Sequence, residues 1–403
     1  MQAVILAAGK GTRLHPLTLT RPKPLLKVAN KTILEHNLDQ LVGFVDHVFI
    51  VVNHFKEQII EKIGESYKGI KVTYVEQEKP LGTGDAVKST LPFLDKKFLV
   101  IYGDDLHFRS SIEKLLKKSA PCMMLKEVQN PERFGVVTVD GKKVQSLVEK
   151  PDKPSSNLVN EGLYLFGKEM FDAKIGLSER GEYELTDYIK ALGPGKVNYE
   201  VAEHWFPISY PWDLLDANAF LIENMAKPTD KFLEKEEKIK GIVEEGCNIK
   251  ENVWIGEGTV VKSGAYIEKN VVVGKNCVLG PNCFIRSGTA LSDGCRVGQA
   301  VEIKNSIFFD NSKAPHLSYV GDSVIGSNTN LAAGTITANV RHDGANVKSV
   351  VKGSLVDTGR RKMGSIIGDN VKTGIGTLIY PGRKIWPGQR TLPQEVVKVD
   401  KQD

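Results

Sequence analysis

Hydrophobic residues in the first 225 positions occur as short runs, and amphipathic segments separate these runs. Short apolar runs bounded by polar residues are typical of buried β-strands, whereas apolar residues three and four positions apart are typical of helices. We predict strands at residues 3–6, 47–52, 71–75 and 98–102, and helices at residues 32–41, 55–63, 84–91 and 217–225. This alternation predicts an α/β fold with a largely parallel sheet, which binds ligands beyond the carboxyl ends of its strands.

The second half of the chain follows a period of six. Aliphatic residues recur at Val243, Ile249, Ile255, Val261, Ile267, Val273, Leu279, Ile285, Leu291, Val297 and Ile303. A small or β-branched residue stands two positions before each of the last ten, and this pattern is typical of a parallel β-helix that buries the aliphatic side chain. The register stops after Ile303, resumes at Ile325 and stops again before Ile367. We expect these breaks to be loops that project from the β-helix and carry functional residues.

The change of period predicts the domain organisation. Residues 1–225 form the α/β domain and residues 241–403 form the β-helix domain. Between them, residues 226–240 are rich in charge and contain Pro228, which is typical of a linker.

Composition excludes several classes of protein. Of the 403 residues, 41% are hydrophobic and 26% are charged, which is typical of globular domains rather than disordered chains. The net charge of +5 is too small and too dispersed to indicate binding to nucleic acid or to an anionic membrane. No apolar run reaches the roughly 18 residues of a membrane helix, and residues 1–6 do not resemble a signal peptide, so we expect a cytoplasmic protein.

The five cysteines include no C-x-x-C pair, which argues against a disulfide framework and a structural zinc site. Cys247, Cys277, Cys283 and Cys295 occupy the small-residue position of the six-residue repeat. We therefore interpret these four as buried apolar residues.

A glycine-rich loop follows the first predicted strand. Gly9 and Gly11 allow close approach of the backbone to an anion, and Lys10 and Arg13 add positive charge. Such a loop alone is often only a tight turn, but a further cation, Lys23, follows in Arg-Pro-Lys-Pro. In these motifs the sequence resembles the sugar-1-phosphate nucleotidylyltransferases, which implies a Rossmann-like nucleotidyltransferase domain.

The resemblance continues through the domain and implies roles for its residues. Catalytic roles fall to Arg13 and Lys23, and Asp104 of a Tyr-Gly-Asp motif is the implied Mg²⁺ ligand. The implied nucleotide-binding residues are Leu6, Ala8, Gly9, Gln77, Gly82, Thr83 and Tyr102. The implied sugar-phosphate-binding residues are Gly135, Glu149, Lys150, Asn160 and Thr186.

One position departs from the family pattern. Where the family has Trp-x-Asp, with the Asp as second magnesium ligand, this chain has Trp205, Phe206 and Pro207. Proline offers no side-chain oxygen to a hard cation. Either Asp104 and the substrate phosphates hold the metal with additional waters, or nucleotidyl transfer is slow or lost.

Residues 315–322, Pro-His-Leu-Ser-Tyr-Val-Gly-Asp, lie in the first break of the repeat. They resemble the amino-sugar-1-phosphate acetyltransferase domain of bifunctional uridyltransferase/acetyltransferases and their archaeal two-domain relatives, whose β-helix is left-handed. The resemblance implies that His316 is the general base for transfer from acetyl-CoA. It further implies a homotrimer with the acetyl site between subunits. The implied ligands of sugar phosphate or acetyl-CoA are Arg286, Lys304, Tyr319, Asn339 and Lys348.

These features favour a bifunctional enzyme that acetylates glucosamine or galactosamine 1-phosphate and joins the product to a nucleotide from UTP or dTTP. One alternative is a glucose-1-phosphate thymidylyl- or uridylyltransferase with a purely structural β-helix. Another is a regulatory homologue that binds sugar nucleotides without turning them over, and Pro207 favours it. Residues 340–342 depart from the bacterial acetyltransferase pattern, so the acceptor sugar stays open.

Overall fold

The computed structural model describes residues 1–178, 180–225 and 238–402. Most of the predicted linker, residues 226–237, lies outside the described residues. The chain forms two compact units, and the first comprises Met1–Lys10, Pro22–Leu25 and Thr32–Pro207. The second comprises Gly11–Arg21, Leu26–Lys31 and Ile208–Asp403, so that two short N-terminal segments belong to the same unit as the β-helix.

Among the described residues, the α/β region contains twelve strands and six α-helices. The strands are β1 Gln2–Leu6, β2 Lys27–Val28, β3 Lys31–Thr32, β4 His47–Val52, β5 Ser66–Tyr67, β6 Ile70–Glu76, β7 Lys97–Tyr102, β8 Cys122–Glu127, β9 Gly135–Asp140, β10 Lys143–Glu149, β11 Leu158–Gly167 and β12 Asn198–Val201. The α-helices are α1 Ile33–Leu41, α2 Lys56–Ile63, α3 Thr83–Lys88, α4 Arg109–Leu116, α5 Leu185–Leu192 and α6 Asp213–Asn224, of which α6 lies in the second unit.

Ten of these strands form one mixed sheet in the order β5-β6-β4-β1-β7-β11-β8-β12-β10-β9. The predicted parallel part is confirmed, because β6, β4, β1 and β7 run parallel to one another. Beyond β7 the sheet differs from the prediction, since β11 pairs antiparallel with both β7 and β8. One apolar cluster lies on each side of the sheet, as expected for a sheet covered on both faces.

Local sequence explains where the first helix begins. The Thr32 hydroxyl accepts a hydrogen bond from the Glu35 amide at 3.1 Å, and the Glu35 carboxylate accepts one from the Thr32 amide at 2.9 Å. This capping box satisfies two amide groups that a helix start would otherwise leave unpaired. Helix α1 therefore begins one residue after the position predicted from periodicity alone.

The second unit contains the strands of the β-helix. They are β13 Ile242–Val243, β14 Asn248–Ile249, β15 Val253–Ile255, β16 Val260–Val261, β17 Tyr266–Ile267, β18 Val271–Val273, β19 Val278–Leu279, β20 Phe284–Ile285, β21 Ala290–Leu291, β22 Arg296–Gln299, β23 Glu302–Lys304, β24 Ile307–Phe308, β25 Lys313–His316, β26 Tyr319–Gly321, β27 Val324–Ile325, β28 Ile336–Thr337, β29 Lys348–Val351, β30 Ser354–Asp357, β31 Ile366–Ile367, β32 Leu378–Ile379, β33 Lys384–Ile385 and β34 Val396–Val397.

These strands, apart from β29 and β30, form three parallel sheets, and up to β27 each strand neighbours the third strand after it in the chain. Val243 pairs with Val261, which pairs with Leu279, so each full coil is 18 residues long at this end. The predicted aliphatic residues from Ile255 to Ile303 are buried in one core. Val243 is instead 38% exposed, because β13 lies at the end of its sheet. The left-handed parallel β-helix is thereby the fold of this region.

The first break in the repeat is not a projecting loop, and that expectation is wrong. The turn after Ile303 is one residue shorter, so Phe308, Ala314 and Val320 become the next inward residues and the coils continue. His316 consequently ends strand β25 and Tyr319 begins strand β26. The second break does contain an insertion, since β29 and β30 form an antiparallel hairpin outside the three parallel sheets.

Small hydroxyl residues fill the inward small-residue position after the shift. Ser306, Ser312, Ser318 and Ser323 are 0–4% exposed. Ser306, Ser318 and Ser323 each donate at 2.8 Å to the carbonyl two residues earlier, which satisfies a buried hydroxyl within its own strand turn. Cys277, Cys283 and Cys295 are buried at the equivalent positions, as the repeat predicts, whereas Cys247, near the end of the β-helix, is only partly buried. Among the described helices, none combines the length and apolar character that crossing a membrane requires.

Candidate active sites

The first site lies at the carboxyl edge of the parallel strands. Leu6, at the end of β1, is the register partner of Tyr102, at the end of β7. The Gly103 amide then donates to the Leu6 carbonyl at 2.9 Å, and the Gln77 amide donates to the Val52 carbonyl at 3.0 Å. The nucleotide-binding residues predicted in three separate motifs therefore occupy one edge of the sheet. Ala8 and Gly9 follow Leu6 there, and Gly9 is exposed.

Tyr102 is surrounded by other predicted site residues. Its ring packs edge-on against Tyr164, with centroids 5.9 Å apart, and the Tyr164 hydroxyl accepts from Asn160 at 2.6 Å. Gly162 has a φ of +86°, and a Cβ atom there would lie 2.6 Å from the Tyr102 ring, so only glycine fits. Burial raises the pKa of Tyr102 to about 12, although the Tyr164 and Thr83 side chains lower it. Tyr102 is thus a neutral phenol packed against Tyr164 and Gly162.

The Gly82–Thr83 segment contacts residues 183–185, which directly precede the predicted sugar-phosphate-binding residue Thr186. The Gly84 amide donates to the Tyr183 carbonyl at 2.8 Å, and the Leu185 amide donates to the Thr83 hydroxyl at 3.0 Å. The side-chain amide of Gln77 donates to the Gly82 carbonyl at 3.0 Å. It also donates to Asp85 at 2.8 Å, so both of its N–H groups are used and Oε1 is the remaining acceptor. Thr186 is 3% exposed, below this segment.

The predicted sugar-phosphate residues converge on three strands. Glu149 of β10 is the register partner of Gly135 of β9, and a Cβ atom at Gly135 would lie 3.0 Å from the Glu149 carboxylate. Asn160 of β11 lies on the other side of Gly135 at 3.7 Å from the same point. The Lys150 amide donates to the Phe134 carbonyl at 2.9 Å, and its partly exposed Nζ lies 3.5 Å from Glu149.

Lys23 and Asp104 form an ion pair at 2.8 Å. Lys23 is 6% exposed and also lies 3.4 Å from Asp105. Desolvation raises the pKa of Asp104, but the Lys23 ammonium and hydrogen bonds outweigh it and hold the pKa below its ordinary value. An ionised, partly exposed carboxylate fits Mg²⁺, which is commonly bound by one or two carboxylates together with substrate phosphates.

Arg13 does not belong to the first compact unit. It belongs to the segment Gly11–Arg21 of the second unit, its side chain is exposed, and its guanidinium carbon lies 6.0 Å from the centroid of the Tyr210 ring.

The second site lies on the β-helix and has Asp322 at its centre. This carboxylate is 2% exposed and accepts hydrogen bonds from Asn339 at 2.6 Å, Asn305 at 2.8 Å and Lys304 at 3.0 Å. Asn339 also donates to the Tyr319 hydroxyl at 3.1 Å. Burial raises the pKa of Tyr319, although the hydrogen bond from Asn339 lowers it. Three predicted residues, Lys304, Tyr319 and Asn339, are therefore held together by one buried carboxylate.

Arg286 continues this cluster on the neighbouring coils. Its guanidinium donates to Glu302 at 2.8 Å, and Glu302 is the register partner of Tyr319. The hydrogen bond with Glu302 raises the pKa of Arg286. His316 and Lys348 are exposed, and within the described part of the chain no hydrogen bond or ion pair connects either side chain to Asp322. The structure thus brings four of the six predicted acetyl-site residues into one connected cluster.

Comparisons with known proteins agree with both halves. Residues 2–224 match the nucleotidyl transferase family, residues 246–281 match the bacterial transferase hexapeptide family and residues 266–391 match the GMPPB C-terminal domain. The chain is 44% identical over 401 residues to the bifunctional protein GlmU of Methanocaldococcus jannaschii, covering 97% of this chain and 94% of the relative. It is 38% identical to the bifunctional sugar-1-phosphate nucleotidylyltransferase/acetyltransferase of Sulfurisphaera tokodaii, covering 99% and 98%.

The chain belongs to the family of bifunctional sugar-1-phosphate nucleotidylyltransferase/acetyltransferases. Among solved structures, a Bacillus anthracis protein assigned as a glucose-1-phosphate thymidylyltransferase is similar to 55% of the chain, with 94% of that protein covered. The TM-score is 0.50 and the identity 28%.

In this member of the family, Pro207 follows a backbone bridge to the segment that contains the implied metal ligand. Leu106 and Phe206 form an antiparallel bridge, with the two amide–carbonyl hydrogen bonds at 3.0 and 3.2 Å. In such a pairing the residue after Phe206 lies opposite the residue before Leu106, which is Asp105. A carboxylate at position 207 would therefore lie opposite Asp105, which follows Asp104 in the chain, whereas the proline offers none.

Sequence reasoning missed a buried pair below the nucleotidyl site of this family member. The His107 Nδ1 atom lies 3.0 Å from Glu161, and Nε2 donates to the Tyr102 carbonyl at 3.1 Å. Burial lowers the pKa of His107, but the Glu161 carboxylate raises it by more, while burial raises the pKa of Glu161. The Glu-Gly pair between Asn160 and Leu163 gave no signal, because a glutamate on a strand is normally exposed. Asp322 was also missed, although it ends the motif that contains His316.

Proposed function

We propose that this chain carries out two successive reactions of UDP-N-acetyl amino-sugar synthesis. The β-helix would acetylate an amino-sugar 1-phosphate with acetyl-CoA, and the α/β unit would transfer a uridylyl group from UTP to the product, releasing pyrophosphate. The observation that carries the proposal is the Asp322 cluster, which binds Lys304, Asn305 and Asn339 together. A purely structural β-helix has no need of such a polar group at a coil edge.

For nucleotidyl transfer, an oxygen of the sugar phosphate attacks the α-phosphorus, and the bond from that phosphorus to the β-phosphate oxygen breaks. The attacking oxygen is already anionic, so the protein has to place two anions together and to neutralise charge on the leaving pyrophosphate. Lys23 and Lys150 supply positive charge in the first unit, and Arg13 adds a third cation. When bound, Mg²⁺ would be held by Asp104 and the phosphates, and would neutralise further charge on the transferring group.

For recognition of the base, Gln77 offers the carbonyl oxygen Oε1, because both of its N–H groups are already used. The N3–H group of uracil or thymine is a suitable donor for this acceptor. UTP and dTTP share that group, and we propose UTP because the chain matches relatives named GlmU over almost its whole length.

For acetyl transfer, the amine nitrogen of the sugar attacks the thioester carbonyl, and the carbon–sulfur bond breaks. His316 would accept the proton from the amine and return it to the departing thiolate of CoA. Lys304 and Arg286 would neutralise the sugar phosphate, and Tyr319 and Asn339 would orient the acceptor. Lys348 would add a cation from the hairpin, where it is exposed.

We further propose a homotrimer in the cytoplasm. The exposure of His316 and Lys348, outside the Asp322 cluster, favours an acetyl site completed by a neighbouring subunit. Light scattering on the purified chain tests this expectation. A mass of about three chains is expected, and a monomer with full acetyl transfer would contradict it.

The experiment that tests the function follows two products on one purified protein. Release of CoA thiol is measured with acetyl-CoA and glucosamine or galactosamine 1-phosphate, and release of pyrophosphate with UTP, Mg²⁺ and N-acetylglucosamine 1-phosphate. Both activities are expected. Pyrophosphate release alone, with dTTP and glucose 1-phosphate, would instead favour the function assigned to the Bacillus anthracis protein. No turnover in either assay would favour a binding protein and overturn the proposal.

A further inference from the structure

The loop that follows strand β7 carries the implied magnesium ligand, Asp104, and is closed by one of its own side chains. It runs from Tyr102, the last residue of β7, to His107. His107 is 2% exposed, and its Nε2 atom donates to the Tyr102 carbonyl at 3.1 Å. The first and last residues of the loop are therefore joined by a buried hydrogen bond.

Glu161, in strand β11, holds the His107 ring in this position. Its side chain is fully buried, and its Oε1 atom lies 3.0 Å from the Nδ1 atom of His107. Within the described part of the chain, no donor is hydrogen-bonded to the second oxygen, Oε2. Burying a polar group without a partner costs free energy, so each member of this pair depends on the other.

The hydrogen bonds fix the protons of the pair. A carbonyl oxygen can only accept, so the Nε2 atom of His107 carries a proton. One further proton lies between Nδ1 and Oε1, on either the imidazole or the carboxyl group. In both arrangements the pair has no net charge, and Nε2 directs its N–H group to Tyr102. Glu161 thus sets the tautomer and the orientation of the ring, as carboxylates do for histidines that bind metals.

A second buried polar side chain, Asn37 of helix α1, holds the other end of the same loop. Asn37 is 1% exposed, and its Nδ2 atom donates to the Asp105 carbonyl at 2.8 Å. Its Oδ1 atom accepts from the His107 amide at 3.1 Å. The backbone is therefore attached to buried groups both before and after Asp104.

This fixed loop presents the Asp104 carboxylate beside Lys23. The two charged groups are 2.8 Å apart, and the Asp104 side chain is 42% exposed whereas that of Lys23 is 7% exposed. All the residues that hold the loop belong to the first compact unit. A carboxylate that has to meet a metal ion and a phosphate requires a supporting structure that keeps it in place.

We propose that Glu161 is a positioning residue for the magnesium ligand Asp104. Through His107 it holds the loop of residues 102–107, and the loop holds the Asp104 carboxylate. The inference rests on the proposed function, because it takes Asp104 as the metal ligand of nucleotidyl transfer. Groups that support a metal ligand from behind typically contribute about 10- to 100-fold to metal affinity or activity. This role accounts for an ionisable pair at a position where apolar side chains would pack at lower cost.

The test measures binding of UTP to the full chain by calorimetry, once with EDTA and once with Mg²⁺. Sugar phosphate is left out, so that nothing is turned over. Glu161→Leu removes the hydrogen bond to His107. The factor by which Mg²⁺ tightens UTP binding should fall about tenfold, whereas the Kd with EDTA should stay within about twofold of the wild type. An unchanged magnesium effect in Glu161→Leu, or no magnesium effect in the wild type, would overturn the inference.

Glu161→Gln is the conservative variant. Its side-chain amide can donate to Nδ1 of a neutral His107 ring, while Nε2 still donates to Tyr102. The loop should therefore keep its conformation, and most of the magnesium effect should return. Glu161→Gln and Glu161→Leu with the same loss would overturn the inference, because the hydrogen bond to His107 would then be irrelevant.

Glu200→Leu is the matched control. Glu200 is also a strand carboxylate paired with a cation, Lys118 at 2.5 Å, but it lies in β12, two strands away from β11 in the sheet. The magnesium effect and both activities should survive this change. If Glu200→Leu and Glu161→Leu reduce the magnesium effect equally, any damage to the sheet explains the loss and the inference is wrong.

The double variant Glu161→Leu/His107→Leu separates positioning from stability. It leaves no unpaired polar side chain at the pair, so the free energy of unfolding should recover relative to Glu161→Leu. The magnesium effect should stay low, because the hydrogen bond between His107 and Tyr102 is lost. Recovery of the magnesium effect would show a merely structural pair and overturn the inference. The double variant also serves as the test if Glu161→Leu fails to fold.

Failure of the proposed function gives a different result. A wild-type chain that binds UTP more tightly with Mg²⁺ but releases no pyrophosphate would refute nucleotidyl transfer. The binding comparison between Glu161→Leu and Glu161→Gln would still decide whether Glu161 positions the metal ligand.

Discussion

The candidate nucleotidyl site gathers residues that are distant in the sequence, whereas the candidate acetyl site gathers residues from successive coils. Lys23 and Asp104 meet across 81 positions, and Gly135, Glu149 and Asn160 meet because three strands of one sheet converge. In the β-helix, Glu302 lies beside Tyr319 because stacked coils share a register. The geometry of the first site depends on the conformations of loops, and the geometry of the second depends on the number of residues in each coil. A substitution in one site should therefore leave the activity of the other site unchanged.

Among the substitutions that should affect only one activity, His316→Ala is expected to have the largest effect. Loss of a general base typically costs about 10²–10⁴-fold in rate, so acetyl transfer should fall by that amount. Pyrophosphate release should remain near the wild-type rate, because His316 lies at the end of a β-helix strand. The exposed His342 provides a control substitution, His342→Ala, that should leave both rates unchanged. Loss of both activities in a folded His316→Ala protein would contradict two independent sites.

Lys23→Ala should produce the reverse pattern. Removing the buried ammonium leaves Asp104 without its partner at 2.8 Å and removes positive charge from the transferring phosphate. Loss of one group that stabilises transition-state charge costs about 10²–10³-fold, and pyrophosphate release should fall accordingly. Acetyl transfer should be unchanged. Lys114→Ala, which removes an exposed pair with Glu203, is the matched change elsewhere in the same unit. A normal rate of pyrophosphate release in Lys23→Ala would remove this residue from the mechanism.

Lys384 provides a test of stability in the β-helix unit. Burial lowers the pKa of Lys384 to about 8, although Asp400 raises it. From about pH 8 to pH 10.5 the unfolded chain binds more protons than the folded one, so this residue makes the free energy of unfolding rise with pH. The rise should approach about 3 kcal/mol, because one pKa unit corresponds to about 1.4 kcal/mol.

Lys384→Met should remove this rise, which is measured as the difference in urea unfolding between variant and wild type across the pH range. The exposed Lys398 gives the control, since Lys398→Met should retain the wild-type dependence. If Lys384→Met and the wild type follow parallel curves, Lys384 is not the titrating group.

Asp322→Asn tests whether the buried carboxylate positions Lys304 and Asn339 for acetyl transfer. The substitution replaces a carboxylate that accepts from Lys304 and Asn339 with an amide whose N–H group opposes those donors. Hydrogen bonds to charged groups contribute about 1.5–3 kcal/mol, so acetyl transfer should fall about 10- to 100-fold. Pyrophosphate release should not change. An unchanged KM for the sugar phosphate and an unchanged rate would show that Lys304 and Asn339 need no common acceptor.

The two regions also differ in what their sequences predict. The six-residue repeat predicts the buried residues of the β-helix, and the burial of Ile255 and Cys277 confirms it. It misplaces His316, because a turn one residue shorter shifts the phase while Ser306 and Ser318 take the place of apolar residues. Buried serines carry no apolar signal, and only their hydrogen bonds to nearby carbonyls make the substitution tolerable.

In the α/β unit, alternating periods predict the parallel strands to within two residues, but they do not reveal which loops meet. Motif resemblance identifies Lys23 and Asp104, and the structure brings them together. Nothing in the sequence indicates that Glu161 is buried against His107, because tertiary packing alone decides whether a strand glutamate faces solvent. Nor does the sequence indicate that Asp369 pairs with Arg21, because the two residues are 348 positions apart.

Pro207→Asp tests whether the nucleotidyl site lacks a carboxylate ligand for Mg²⁺ at position 207. The bridge between Leu106 and Phe206 places position 207 opposite Asp105, so an added carboxylate would lie close to the segment that contains Asp104. If magnesium binding limits the rate, pyrophosphate release at limiting Mg²⁺ should rise about tenfold, which corresponds to ~1.4 kcal/mol. Pro207→Ala releases the proline backbone without adding an oxygen. A gain in the Asp variant alone would indicate a metal ligand, whereas equal gains would indicate backbone freedom. No gain in either would mean that Asp104 and the substrate phosphates are enough to bind Mg²⁺. The nucleotidyl site would then lack no ligand, although it is built differently from the acetyl site.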